Sequence, residues 1–118
     1  MKDEQITKLF SKWQTRLKLD HWDVELEIIN DSELPFGGEG QVDFNLTYLT
    51  ATIRLAKNHS GGIPRSKKKL TQAAIHELIH IHLAGLNTIS GTRERTAEEQ
   101  AVQILSRVIM EGYEGAHK

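Results

Sequence analysis

The chain has no cysteine, which excludes disulfide cross-links, thiolate catalysis and thiolate-ligated metal. Any metal site must therefore be built from histidine and carboxylate. Only 2 of the 118 residues are proline, while 38% are hydrophobic; that balance suits a packed domain and not a disordered tract. Neither charge sign dominates, with 15 Lys and Arg against 16 Asp and Glu. No whole-molecule field would gather polyanions or an anionic membrane surface. Nor is there an apolar run of the roughly 18 residues that a membrane span requires. Charges at Lys2, Asp3, Glu4, Lys8 and Lys12 interrupt the first residues, so no signal-peptide core is present there. The expectation is a cytoplasmic, monomeric protein with no membrane partner. Residues 1–118 are expected to form one domain, because half of this length could not bury enough surface.

Hydrophobic periodicity divides the chain into six elements. Ile6, Leu9, Phe10, Trp13 and Leu17 recur at three- and four-residue spacing, predicting an amphipathic helix over Asp3 to Leu19. The period then changes to two. Trp22, Val24, Leu26 and Ile28 alternate with Asp23, Glu25 and Glu27, a half-buried strand with an outward acidic row. A turn-rich stretch from Leu34 to Gly40 leads to a second alternation, Val42, Phe44, Leu46 and Tyr48, and Ala51 to Ala56 supplies its antiparallel hairpin partner. Ser66 is a plausible N-cap for a helix from Leu70 to Leu83 that is apolar over most of its girth, and so central. Beyond a loop at Asn87 to Thr92, the stripe Ala97, Ala101, Ile104, Leu105 and Val108 predicts a last helix ending near Met110, with a loose tail from Glu111. These elements make an α+β domain: an N-terminal helix, a three-stranded mostly antiparallel sheet and two further helices.

The central helix carries the chemistry. His76-Glu77-Leu78-Ile79-His80 places two imidazoles four residues apart, about 40° around the helix and about 6 Å along it, so both reach one metal ion. Glu77, beside the first histidine, is placed to act as general base on a metal-polarised water without being a ligand. His82 faces elsewhere and is excluded from the ligand set. A catalytic zinc needs a third protein ligand; the candidates are His59, His117 and a carboxylate on the last helix. With the stripe Ala97, Ala101, Ile104, Leu105 and Val108 facing inward, Glu94 and Glu98 fall on its near side and Glu99 almost opposite. Glu98 is the expected ligand, since Glu94 lies close to the turn.

His76-Glu77-Leu78-Ile79-His80, led by Leu70 to Ile75 and followed by a helix opening Ala97-Glu98-Glu99-Gln100-Ala101, resembles the minimal zincin metallopeptidases whose third ligand is glutamate. Small phage and bacterial proteins share this plan, as do SprT-like peptidases and ImmA/IrrE-like peptidases. The latter carry a glutamate three residues before an alanine, as Glu98 stands before Ala101. The resemblance implies a zincin-like fold and a Zn²⁺-dependent peptidase: His76, His80 and Glu98 hold the metal and Glu77 is catalytic. It also implies that an edge strand beside the active-site helix, here matched to Ala51 to Ala56, pairs with an extended peptide substrate. Many zincins add a histidine or tyrosine that steadies the reacting centre; Tyr48, Tyr113, His59 and His117 are candidates by residue type. The alternative function is a non-catalytic zinc-binding module of zincin fold with a regulatory or protein-interaction role. Arg65, Lys67, Lys68 and Lys69, four cations in five residues, are the one place where nucleic acid could be held.

Overall fold

Ile6, Phe10 and Trp13 form the buried stripe of the first helix, α1 (Asp3–Arg16). The computed structural model describes residues 1–34, 39–59, 61–84 and 92–116, the side chains of 92–96 and 116 excepted. The chain leaves α1 through Lys18, whose φ of 61° lies in the left-handed region. Gln14 fixes this exit by donating from Nε2 to the carbonyls of Leu19 and Trp22, both at 3.1 Å. Strand β1 (Asp23–Ile29) follows, then a 3-10 turn at Asp31–Glu33. Strand β2 (Gly40–Asn45) ends earlier than its alternation predicts. The reason is local: the Asn45 carboxamide oxygen accepts from the amides of Thr47 and Tyr48, folding 46–49 into a turn that Leu49 completes at φ 53°. Strand β3 (Thr50–Ala56) returns beside β2 as expected.

The sheet is mixed, where a mostly antiparallel one was expected. Its order is β1-β3-β2, with β1 parallel to β3 from Asp23↔Thr50 to Ile29↔Ala56, and β2 antiparallel to β3. The chain crosses from β1 to the far edge before forming β2, and β1 and β2 run in opposite directions, so β3 between them is parallel to one and antiparallel to the other. Strand β3 is consequently central and cannot be the edge strand that the zincin resemblance assigned to Ala51 to Ala56. That edge is β2. One sheet face sets Val24, Leu26, Ile28, Ile53, Leu55 and Val42 against the helices. On the other face Arg54 binds Glu27 at 2.9 Å and Asp43 at 3.1 Å, and the acidic row of β1 belongs to this polar face.

Helix α2 (Lys67–Leu83) starts at Ser66, whose hydroxyl accepts from the Lys69 amide, and is buried on most of its circumference. Helix α3 (Thr92–Ala116) runs past the predicted end at Met110 and includes most of the expected loose tail. Met110 is buried and Tyr113 packs edge-on against Trp13, ring centroids 5.0 Å apart, which holds the last turns to α1. The inward face of α3 also departs from the sequence expectation. Val102, Ser106 and Met110 are buried, with Ile109 and Tyr113 partly so, while Ala97 and Ala101 are exposed and Ile104, Leu105 and Val108 keep 60, 43 and 59% of their surface. The predicted loop at Asn87 to Thr92 lies almost wholly outside the described residues. His117 lies outside them too, as does the side chain of Glu94.

Candidate metal centre

His76 and His80 stand one turn apart on α2, their ring centroids 5.1 Å from each other. Each turns Nε2 toward α3, where the Glu99 carboxylate bridges them: Oε2 is 3.2 Å from His76 Nε2 and Oε1 is 2.7 Å from His80 Nε2. The other ring nitrogens also meet α3. His76 Nδ1 lies 3.1 Å from the Gln103 carboxamide oxygen, and His80 Nδ1 is 3.6 Å from Glu98 Oε1. Glu98, Glu99 and Gln103, within two turns of α3, thus face both nitrogens of both rings.

The carboxylate brought to the two Nε2 atoms as a third donor is that of Glu99, not of Glu98, the residue expected from the sequence. The cause is the rotation of α3. With Val102 and Ser106 inward, Glu98 and Glu99 precede Val102 by four and three residues and flank the same buried line. Glu99 reaches past His80 to His76, while Glu98 stays against the Nδ1 side of His80. Ligand atoms of His76, His80 and Glu99 lie within 4.8 Å of one another. Bonds of about 2.0–2.2 Å to a tetrahedral zinc would separate neighbouring donors by roughly 3.4 Å, so this donor set fits the ion with small adjustments. Gln103, which no sequence pattern singles out, gives His76 Nδ1 a partner, the nitrogen that would face away from an ion held at Nε2.

Glu77 is 7% exposed and makes no hydrogen bond among the described residues. Burial, and then the charges of Glu99 and Glu39, push its carboxyl group up to about 8. It stands between the histidines and β2, where Gly40 makes room: a Cβ there would sit 3.2 Å from Glu77 Cγ and 2.9 Å from the Arg54 carbonyl. The space above these groups is a cleft of about 580 Å³, walled by Glu39, Gly40, Gln41, Val42 and Phe44 on one side and by α2 and α3 on the other.

The β2 wall has unused backbone groups. The Ala56 amide donates to Glu39, and in an antiparallel ladder this alternation puts the hydrogen-bonded pairs at Gln41↔Arg54 and Asp43↔Thr52. The amides and carbonyls of Gly40, Val42 and Phe44 then point away from β3, to the free edge.

Neither tyrosine, nor His59, lines the cleft. Tyr48 is 76% exposed at the hairpin turn, Tyr113 lies against Trp13, and the His59 amide donates to Ile63 in the loop before α2. The basic run also differs from its sequence appearance. Arg65 is 7% exposed and pairs with Glu39 at 3.3 Å and Asp31 at 4.0 Å, and its Nε donates to the Asn58 carbonyl. It is an internal clamp on the loops around β2, which leaves Lys67, Lys68 and Lys69 as surface cations. No helix among the described residues is long and apolar enough to cross a membrane. No protein-family model matches the chain, and no match is found among curated proteins or solved structures.

Proposed function

We propose that this protein is a zinc-dependent metallopeptidase of the zincin type, with His76, His80 and Glu99 as metal ligands and Glu77 as the proton-transfer residue. The convergence of two Nε2 atoms and one carboxylate beside a buried, unbonded Glu77 carries this reading. When bound, zinc supplies a Lewis acid that polarises a carbonyl group and acidifies water. The rest is the chain's own work. Gln103 and Glu98 face the outward nitrogens of the two rings and keep Nε2 turned into the cleft. Beside a bound cation, Glu77 would be drawn to its carboxylate form, in which it would accept a proton from the attacking water and return it to the departing amine. An extended peptide enters as a further strand on the free edge of β2, held by the backbone of Gly40, Val42 and Phe44. Backbone pairing of this kind implies little sequence preference.

One observation favours a second reading, a zinc-binding module without catalysis: none of Tyr48, Tyr113 or His59 reaches the cleft to steady the reacting oxygen. The two readings separate in one experiment. Zinc content and hydrolysis of unfolded casein are measured on the wild type and on Glu99→Ala, Glu98→Ala and Glu77→Gln. The expected result is about one zinc per chain in all but Glu99→Ala, with casein cleavage falling at least about 100-fold in Glu77→Gln. Zinc retained by Glu99→Ala would overturn the ligand assignment. Zinc-loaded wild type that cleaves nothing would leave the non-catalytic module.

A further inference from the structure

We propose that a second groove, between α1, the first turn of α2 and the last turns of α3, binds an acidic peptide segment of a partner protein, seated by one large apolar side chain. This inference is independent of the metallopeptidase reading. The groove lies about eleven residues further along α3 than Glu99, roughly 16 Å away at 1.5 Å per residue.

Its shape and floor ask for an apolar anchor. The cavity is about 360 Å³, at the small end of the roughly 300–1,000 Å³ typical of ligand pockets. That suits one bulky side chain and excludes a large cofactor. Trp13, Met110, Leu9 and Tyr113 line it; Trp13 and Met110 are already buried, and the partly exposed Leu9 and Tyr113 supply the apolar surface that gains from being covered.

Its rim asks for negative charge. Lys12, Lys67 and Lys68 surround the floor, with Glu114 the opposing charge. Lys67 and Lys68 are exposed and pair with no acid among the described residues. They occupy the first turn of α2, where the backbone amides add positive potential and no acidic side chain offsets it. On the other side Lys12 Nζ lies 3.2 Å from the Tyr113 hydroxyl, and the Arg16 guanidinium sits 4.2 Å from the centre of the Tyr113 ring. The hydrogen bond from Lys12 and then the contact with Arg16 lower the Tyr113 phenol below its ordinary value, as expected beside two cations.

A phosphodiester backbone would satisfy the lysines but leave the aromatic floor wet, whereas an acidic peptide with an apolar anchor satisfies both. The cleft beside β2 has the opposite character, with Glu39, Glu98 and Glu99 in its lining.

The test is a titration of the ¹⁵N-labelled full chain with an acetylated, amidated peptide in which one phenylalanine is flanked on each side by two glutamates. Saturable shifts of the Thr71, Met110 and Tyr113 amides are expected, with a Kd below about 1 mM. Affinity should fall at least about tenfold in the double variant Lys67→Glu, Lys68→Glu, whose exposed positions leave the fold intact, and the lysine counterpart of the peptide should not bind. The proposal is overturned if no saturable shift appears at those amides, or if the double variant binds like the wild type. It is also overturned if an oligothymidylate of about ten nucleotides shifts the same amides at lower concentration, which would assign the groove to nucleic acid.

Discussion

Glu77 gives the chain a pH dependence whose sign is fixed by its surroundings. Its carboxyl group keeps a proton up to about pH 8 when folded, against an ordinary glutamate value of 4.5. Between those values the unfolded chain binds fewer protons than the folded one, so stability falls as pH rises and the loss is complete above about pH 8. For metal-free protein, chemical denaturation at about pH 5 and about pH 9 should show the wild type losing roughly 2–4 kcal/mol more than Glu77→Gln. Equal losses would mean that Glu77 is not held protonated. Gln103→Leu tests the support of His76: zinc affinity should fall about 10- to 100-fold with little change in metal-free melting temperature. At this scale His76, Glu77 and His80 are legible in the sequence, because their spacing alone puts them on one helix face. Glu99 and Gln103 are not, since their relevance depends on how α3 is rotated about its own axis.

That rotation is an element-scale property, and it explains the misreading. Helix α3 carries two stripes at helical spacing: Ala97, Ala101, Ile104, Leu105 and Val108 on one side, Val102, Ser106, Ile109, Met110 and Tyr113 on the other. The first is the more continuously apolar, yet it stays exposed. Periodicity reports that a stripe exists and says nothing of which neighbour waits for it. The second stripe includes Met110 and Tyr113, which meet α1, and Ser106, whose hydroxyl satisfies itself on the Val102 carbonyl at 2.6 Å. Strand β2 illustrates a tighter constraint. Gly40→Ala puts a methyl group 2.9 Å from the Arg54 carbonyl oxygen and 3.2 Å from both Glu77 Cγ and a Leu55 methyl carbon. The strand must shift to accept it, at a cost of about 1–3 kcal/mol in thermal or chemical denaturation. Gly61 and Gly62, at φ of 90° and 84°, restrict substitution for a backbone reason instead.

At the scale of the whole molecule, the candidate metal centre would join α2 to α3 across a gap in sequence from His80 to Glu99. A ligand that binds only the folded state stabilises it by mass action, about 2.7 kcal/mol at 100 times its Kd. Adding zinc to chelator-treated protein should therefore raise the melting temperature by several degrees, and Glu99→Ala should abolish that shift. A zinc-independent melting temperature in the wild type would count against the site. The α+β composition was readable because each element has its own period, 3.6 or 2. The parallel pairing of β1 with β3 was not, since alternation identifies strands without naming their partners.

The free edge of β2 has one more consequence. An unpaired strand edge is a template for uncontrolled assembly, the step by which sheets of neighbouring molecules fuse. Here the cleft lies along that edge with α2 and α3 as its opposite wall, so the sheet of a neighbouring copy would have to enter the cleft to pair with it. The placement that would leave β2 open to an extended peptide in the proposed reading is the same placement that hinders its pairing with another copy of the chain.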